Sequence, residues 1–188
     1  MEVVWKERIR QRLLRIPPRS NPVASKAQAA VLMGLLDRRG EPCFLLTKRT
    51  QEVATHKGQI CFPGGVEECG DRSLWQTALR ETGEEVGIEP EYVELLGRFH
   101  DYQAVTDIHV ACYVGYLKPG FSLTPSPAEV ERVLQVPYAF FRDTRPVVET
   151  RHRGGRPSPV YFFDYQGDSV WGLTARMIKD FLDVMGDW

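Results

Sequence analysis

Apolar residues recur along this chain with two different periods, and the change from one to the other marks the elements. Gln28–Leu36 and Cys43–Lys48 read QAAVLMGLL and CFLLTK, near-continuous apolar runs of the length expected for buried strands. Between them Asp37-Arg38-Arg39-Gly40 predicts a turn. Tyr92–Tyr102 and Ile108–Leu117 are further strand candidates, and Val147–Arg151 with Val160–Tyr165 flank a turn at Gly154-Gly155. Helical spacing takes over between Ser73 and Gly87, and again over Leu173–Met185, where Met177, Ile178, Phe181, Leu182 and Met185 form one stripe. The basic, amphipathic start VWKERIRQRLLRIPP stops at Pro17-Pro18. Its acids Glu2 and Glu7 favour a folded helix over a transit peptide, within an N-terminal helical extension of residues 1–25. Mixed strands with few helices predict an α/β or α+β fold, a sheet sandwiched by helices, in one domain spanning 1–188.

The first of the two later helices carries the chemistry. Ser73 followed three residues on by Gln76 reads as a capping box, and Gly87 as the stop. At about 100° per residue, Leu74, Ala78, Leu79, Thr82 and Val86 occupy an arc of roughly 140°, while Glu81, Glu84 and Glu85 fill the adjoining arc of roughly 100°. The three carboxylates share a face with no lysine or arginine between them, so they repel unless a cation joins them. Glu85 falls between Leu74 and Ala78, at the edge of the apolar stripe, where an unpaired carboxylate is costly to desolvate. Oxygen-only ligands favour a hard cation, Mg²⁺ or Mn²⁺, whose usual company is a phosphate chain. The alternative is a solvated surface helix with Arg80 paired to Glu84. Pro63-Gly64-Gly65 shifts the balance, because a backbone without side chains can turn tightly and bring a carbonyl to a metal held by the helix. Gly83, inside the helix, costs roughly 1 kcal/mol against alanine, and the sequence offers no reason for it.

Gly65, Arg80, Glu81, Glu84, Glu85, Gly87 and Ile88 match the Nudix box, and the chain is identified by them as resembling the Nudix hydrolases. Asp71 in place of the usual glutamate, and a spacer to Arg80 one residue longer than usual, resemble the coenzyme A pyrophosphatase branch. Leu46-Thr47-x-Arg49, Gly58 and Phe62-Pro63-Gly64-Gly65 are similar to that branch's upstream signature, and His56-Lys57-Gly58-Gln59 to its His-x-Gly-Gln. Thr50 stands where Ser or Ala is usual, and Ala54 where an arginine is usual. Ala29-Ala30-Val31-Leu32, Glu129-Val130 ahead of Val136-Pro137, and Trp171-Gly172-Leu173-Thr174-Ala175 are similar to family segments, so the resemblance covers most of the chain.

The resemblance implies an α/β/α Nudix sandwich with a mixed sheet, and a Mg²⁺- or Mn²⁺-dependent pyrophosphohydrolase. Glu81, Glu84, Glu85 and the Gly65 carbonyl would hold the metal, Arg80 would orient the glutamates, and either Glu81 or Glu129 would be the general base. The implied substrate is coenzyme A or a derivative, cut to phosphopantetheine and adenosine 3′,5′-bisphosphate. Broader hydrolysis of ADP-ribose, dinucleotides or nucleoside triphosphates is the alternative, and a non-catalytic nucleotide-binding module is the second. Retention of all three glutamates argues against the module.

Composition changes this picture little. Hydrophobic residues make up 43% and charged ones 26%, and the net charge of −1 gives no argument for nucleic acid or membrane as a partner. Cys43, Cys61, Cys69 and Cys112 lack C-x-x-C spacing, and no apolar run is long enough for a signal peptide or a membrane span, which reads as a cytoplasmic protein with reduced thiols. A homodimer is left open. Lys48 and Arg49 could hold a phosphate, with His56, Lys57, Gly58 and Gln59 of the following loop; the alternative for each is a solvated surface. The arginines at 142, 145, 151, 153 and 156, with His152, are read as hairpin flanks rather than an anion patch. Glu131, like Glu129, could add a late carboxylate to the metal site or serve as base, with a solvated element start as the alternative, and Asp107 is a weaker candidate.

Overall fold

The computed structural model describes residues 3–19, 27–53, 56–104, 107–153 and 156–186. Strand β1 (Gln28–Arg38) and strand β2 (Glu41–Arg49) form a hairpin closed by Arg39 and Gly40, both with positive φ, at 56° and 91°. The strands therefore run further into the polar turn than their apolar runs, since a two-residue turn of that hand matches the strand twist. Short β3 (Ile60–Cys61) and β4 (Gly64–Val66) follow, then helix α2 (Leu74–Val86), β5 (Val93–Gln103), β6 (His109–Leu117) and β7 (Val130–Pro137). These strands make one seven-stranded sheet in the order β3-β2-β1-β6-β5, with β4 also pairing β1 and β7 pairing β2. The β1–β6 pair is parallel and the other pairings are antiparallel, so the sheet is mixed.

Alternation along β1 separates the two faces. Ala30, Leu32 and Leu36 pack with Ala78 and Val86 of α2, while Ala29, Met33 and Leu35 pack with the other helices. Those are α1 (Val4–Leu14), short α3 (Tyr138–Asp143) and α4 (Gly172–Met185). The N-terminal helix is part of the core, for it buries Trp5, Ile9 and Leu13. The rest of the extension is described only to residue 19. Helices thus cover both faces of a mixed sheet, an α+β architecture. A second sheet, β8 (Val147–Arg153), β9 (Arg156–Tyr165) and β10 (Asp168–Trp171), is antiparallel throughout. Gly154-Gly155, expected to turn the β8–β9 hairpin, lie outside the described residues. No helix among the described residues is long and apolar enough to cross a membrane.

Helix α2 begins as its sequence predicts, with the Ser73 hydroxyl accepting from the Gln76 N–H at 3.2 Å. The return arm differs: Gln76 accepts from the Arg72 N–H at 2.9 Å, one residue before the cap. Gly87, at φ 75°, closes the helix with its N–H on the Gly83 carbonyl. The segment before β7 then seals this end, where the Thr124 and Ser126 N–H groups reach the Val86 and Glu85 carbonyls at 2.9 Å each. A helix end left with bare carbonyls is thereby satisfied, and Glu129 is delivered beside it.

Candidate active site

Two clusters surround the acidic face of α2. In the first, Arg80 lies between Glu81 and Glu84, its NH1 group 2.9 and 3.0 Å from their carboxylates. The expectation of an acidic face with no intervening cation is corrected here, since Arg80 folds back along its own helix and neutralises two of the three glutamates. The same guanidinium donates to Asp71 from Nε at 3.2 Å and from NH2 at 3.1 Å, and to the Val66 carbonyl at 3.0 Å. Asp71 also accepts from the Thr77 hydroxyl at 2.9 Å and the Glu68 N–H at 3.0 Å. Arg80 first, then the Glu68 N–H, holds the Asp71 carboxyl down at about 2. Asp71 is thus the anchor of Arg80, a role the sequence signalled only by its place in the box.

The second cluster sits where α2 meets the end of β2. Glu85 is 1% exposed, its Oε1 3.4 Å from the Arg49 guanidinium, and its Oε2 has no hydrogen-bond partner. Nε of Arg49 is likewise buried without a partner, and its NH2 group is 4.0 Å from Glu129. Burial pushes the Glu85 carboxyl up to about 8; Arg49 opposes the rise, and Glu81 and Glu129 add to it. Burial likewise raises Glu81, against the pull of Arg80. A Cβ on Gly65 would collide with the Glu81 carboxylate, so β4 brings bare backbone against that acid. Gly64, at φ 155°, closes equally tightly on the Ala30 carbonyl, which a side chain would block.

Lys48 and Arg49 do not act as a pair. Adjacent strand residues point to opposite faces, so Arg49 joins Glu85 under α2 while Lys48 pairs with Glu131 at 3.0 Å and Asp168 at 3.3 Å. Asp168, in β10, was invisible to sequence reasoning because only the tertiary fold brings the second sheet to β2. The loop after Arg49 is held at both ends: the Arg49 N–H donates to Gln59, and the Thr50 N–H to Glu129, at 2.9 Å each. Within it His56, at φ 58°, contacts Gln59 through its ring at 2.8 Å, and Gly58 at φ 65° lies against Gln51. Lys57 is exposed in the same loop, and Ala54 lies outside the described residues. Cys61 of β3 borders the Glu85 cluster, its Sγ 3.5 Å from the Thr47 hydroxyl and its thiol pushed up to about 11 by burial. Asp107 is exposed at φ 58°, its N–H donating to the Ala104 carbonyl at 3.2 Å.

Among the described residues, no three His, Cys, Asp or Glu side chains already converge as a metal shell. The donors nevertheless suit a hard cation. They are oxygens, one of them, Glu85 Oε2, is buried with no partner, and the Gly65 backbone beside Glu81 leaves no side chain in the way.

Residues 26–150 match the model of the NUDIX domain. The chain is 40% identical over 172 residues to the uncharacterized Nudix hydrolase NudL of Enterobacter sp., covering 91% of this chain and 88% of that one. It is 37% identical over 168 residues to NudL of Photorhabdus laumondii, covering 88% and 89%. In fold it is similar to the Ap4A hydrolase of C. elegans, with TM-score 0.51 and 22% identity over 60% of this chain and 81% of that one.

Proposed function

The chain belongs to the Nudix hydrolase family, and on that premise we propose that it is a Mg²⁺- or Mn²⁺-dependent pyrophosphohydrolase acting on coenzyme A or its derivatives. One observation carries the reading: Glu85, buried at 1% exposure with one oxygen unanswered, beside Glu81, Glu129 and the bare Gly65 backbone. Arg49 answers one oxygen of this buried carboxylate, and the cost of burying the other bare is relieved by a bound cation. Glu81, Glu84, Glu85 and the Gly65 carbonyl would hold the metal. Bound there, it would supply positive charge to phosphate oxygens and would make water a better nucleophile toward the P–O–P bond.

The chain's own residues do the rest. Arg80, fixed by Asp71, orients Glu81 and Glu84. Arg49 offsets part of the burial that raises Glu85 and presents its remaining N–H groups toward an incoming phosphate. Glu129, held by Thr50 and Ser126 at the mouth of this corner, takes the proton of the attacking water. His56, Lys57, Gly58 and Gln59 form the substrate loop, and Lys48 supports its base through Glu131 and Asp168. Coenzyme A is favoured by the long spacer with Asp71 and by the Leu46–Gly58 signature.

The test is a substrate panel with product identification by mass spectrometry, run with metal and with excess chelator. Coenzyme A should give the highest kcat/KM and yield phosphopantetheine and adenosine 3′,5′-bisphosphate. Dephospho-coenzyme A should be cut less efficiently, Arg49→Ala should lower kcat/KM for coenzyme A, and chelation should abolish turnover. A higher kcat/KM for ADP-ribose, Ap4A or a nucleoside triphosphate would move the substrate assignment, and turnover in chelator would remove the metal site.

A further inference from the structure

The second sheet treats its two open edges in opposite ways. Strand β9 extends beyond β10, which pairs only with Phe162–Tyr165. In the part left uncovered, Pro157 and Pro159 stand opposite His152 and Thr150 of β8. Proline has no N–H to give, so Pro157 and Pro159 take the non-hydrogen-bonded positions toward β8, and residues 153, 151, 149 and 147 exchange hydrogen bonds with β9. The intervening positions of β9, Pro157 and Pro159 among them, face away from β8, where an amide N–H would be bare. Proline blunts an edge at such positions.

No such device protects the outer edge of β8. By the same parity Val148, Thr150 and His152 direct their N–H and C=O groups outward, and among the described residues no strand lies against them. Residues 147–152 are all exposed, Val147 by 67% and Val148 by 53%. Glu149 and Arg151, whose side chains meet at 3.0 Å, give the strand an acid and a base two residues apart on one face.

We propose that this edge binds a second copy of the chain, the two β8 strands pairing antiparallel about a two-fold axis at Thr150 to form one six-stranded sheet. Antiparallel self-pairing with outward groups matched can be centred on Val148, Thr150 or His152. Centring on Val148 sets Thr150 against the partner's Pro146, which has no N–H to give, and centring on His152 sets Thr150 against the partner's residue 154, beyond the end of β8 at Arg153. Centring on Thr150 matches Val148 with the partner's His152 and keeps every outward hydrogen bond. It also sets Glu149 opposite the partner's Arg151, twice, at the non-hydrogen-bonded positions where cross-strand side chains approach most closely. Four charges then alternate in sign around the axis.

Sedimentation velocity over a concentration series tests the pairing. The wild-type chain should show a concentration-dependent dimer. Glu149→Arg and Arg151→Glu should each raise the dimer dissociation constant at least about tenfold, since like charges then face each other at both positions. An equimolar mixture of these two variants should associate again, because each position then meets its opposite sign. Thr150→Pro removes an outward N–H but no bond to β9, so it should be monomeric with an unchanged circular dichroism melt. A wild-type chain that is monomeric even at millimolar concentration overturns the proposal. So does a dimer indifferent to Thr150→Pro, or a mixture that fails to recover association.

Discussion

Around Arg80 every guanidinium nitrogen has an acceptor, in Asp71, Glu81, Glu84 or the Val66 carbonyl, whereas around Arg49 one nitrogen and one Glu85 oxygen are buried with none. Both clusters touch the same helix, yet the Asp71 carboxyl is held at about 2 and the Glu85 carboxyl is pushed up to about 8. Hydrogen bonds to the charged form decide the first case and desolvation the second. The difference separates scaffold from reactive site. A satisfied network rigidifies its surroundings, while a half-satisfied one persists in a folded protein when a ligand completes it.

The sharpest way to break this comparison is Glu85→Gln, which replaces the half-paired carboxyl with an amide at nearly constant volume. It should lower kcat by about 10² or more and leave the fold intact, as assay and circular dichroism would show. It should also change how stability depends on pH. Since the folded-state value lies above the ordinary 4.5, Glu85 contributes stability fully below about 4.5 and loses it as pH rises through about 8. In chelator-treated protein, the melting temperature of wild type relative to Glu85→Gln should therefore fall between pH 5 and 8. A difference that is flat with pH would place Glu85 among the satisfied groups.

Gly65→Ala probes the contact between the turn and the helix. The new methyl displaces the flexible Glu81 carboxylate rather than backbone, so activity should drop about tenfold or more while stability changes little. Asp71→Asn attacks the scaffold instead. Losing a charged acceptor of Arg80 should cost about 2 kcal/mol in denaturant unfolding, with a smaller effect on kcat than Glu85→Gln. Glu68→Gln serves as its control, since Glu68 is 70% exposed on its side chain and only 3.9 Å from Arg80. The smallest effect is expected at Gly83, where an added Cβ meets only the Ile88 carbonyl at 3.8 Å. Gly83→Ala should raise unfolding free energy by about 0.5–1 kcal/mol, and a destabilised variant would mean that this helix turn is built for something other than helicity.

Much of this was legible before any coordinates. The apolar runs located β1, β2, β5 and β6, and the 3.6-residue period placed α2 and α4 within a residue or two. Both signals are local, since they depend on which side chains a strand or helix must bury. The short strands β3, β4 and β10 and the single-turn-and-a-half α3 escaped because two to six residues carry too little periodicity to read. Helical geometry alone also set Glu85 at the edge of the apolar stripe, and its 1% exposure follows from that position.

The acidic face of α2, its cap at Ser73, its stop at Gly87 and the glycine turn ahead of it were all readable from the chain alone, because spacing along one helix fixes which side chains share a side. Which cation each acid meets depended on the folded chain. Arg80 turned out to be anchored by Asp71, nine residues away, while Glu85 received Arg49, thirty-six residues away. It also split Lys48 from Arg49 and gave Lys48 to Asp168 on another sheet. Charge pairing acts through space, and the sheet's register, set by burial across many strands, determines which distant charges become neighbours.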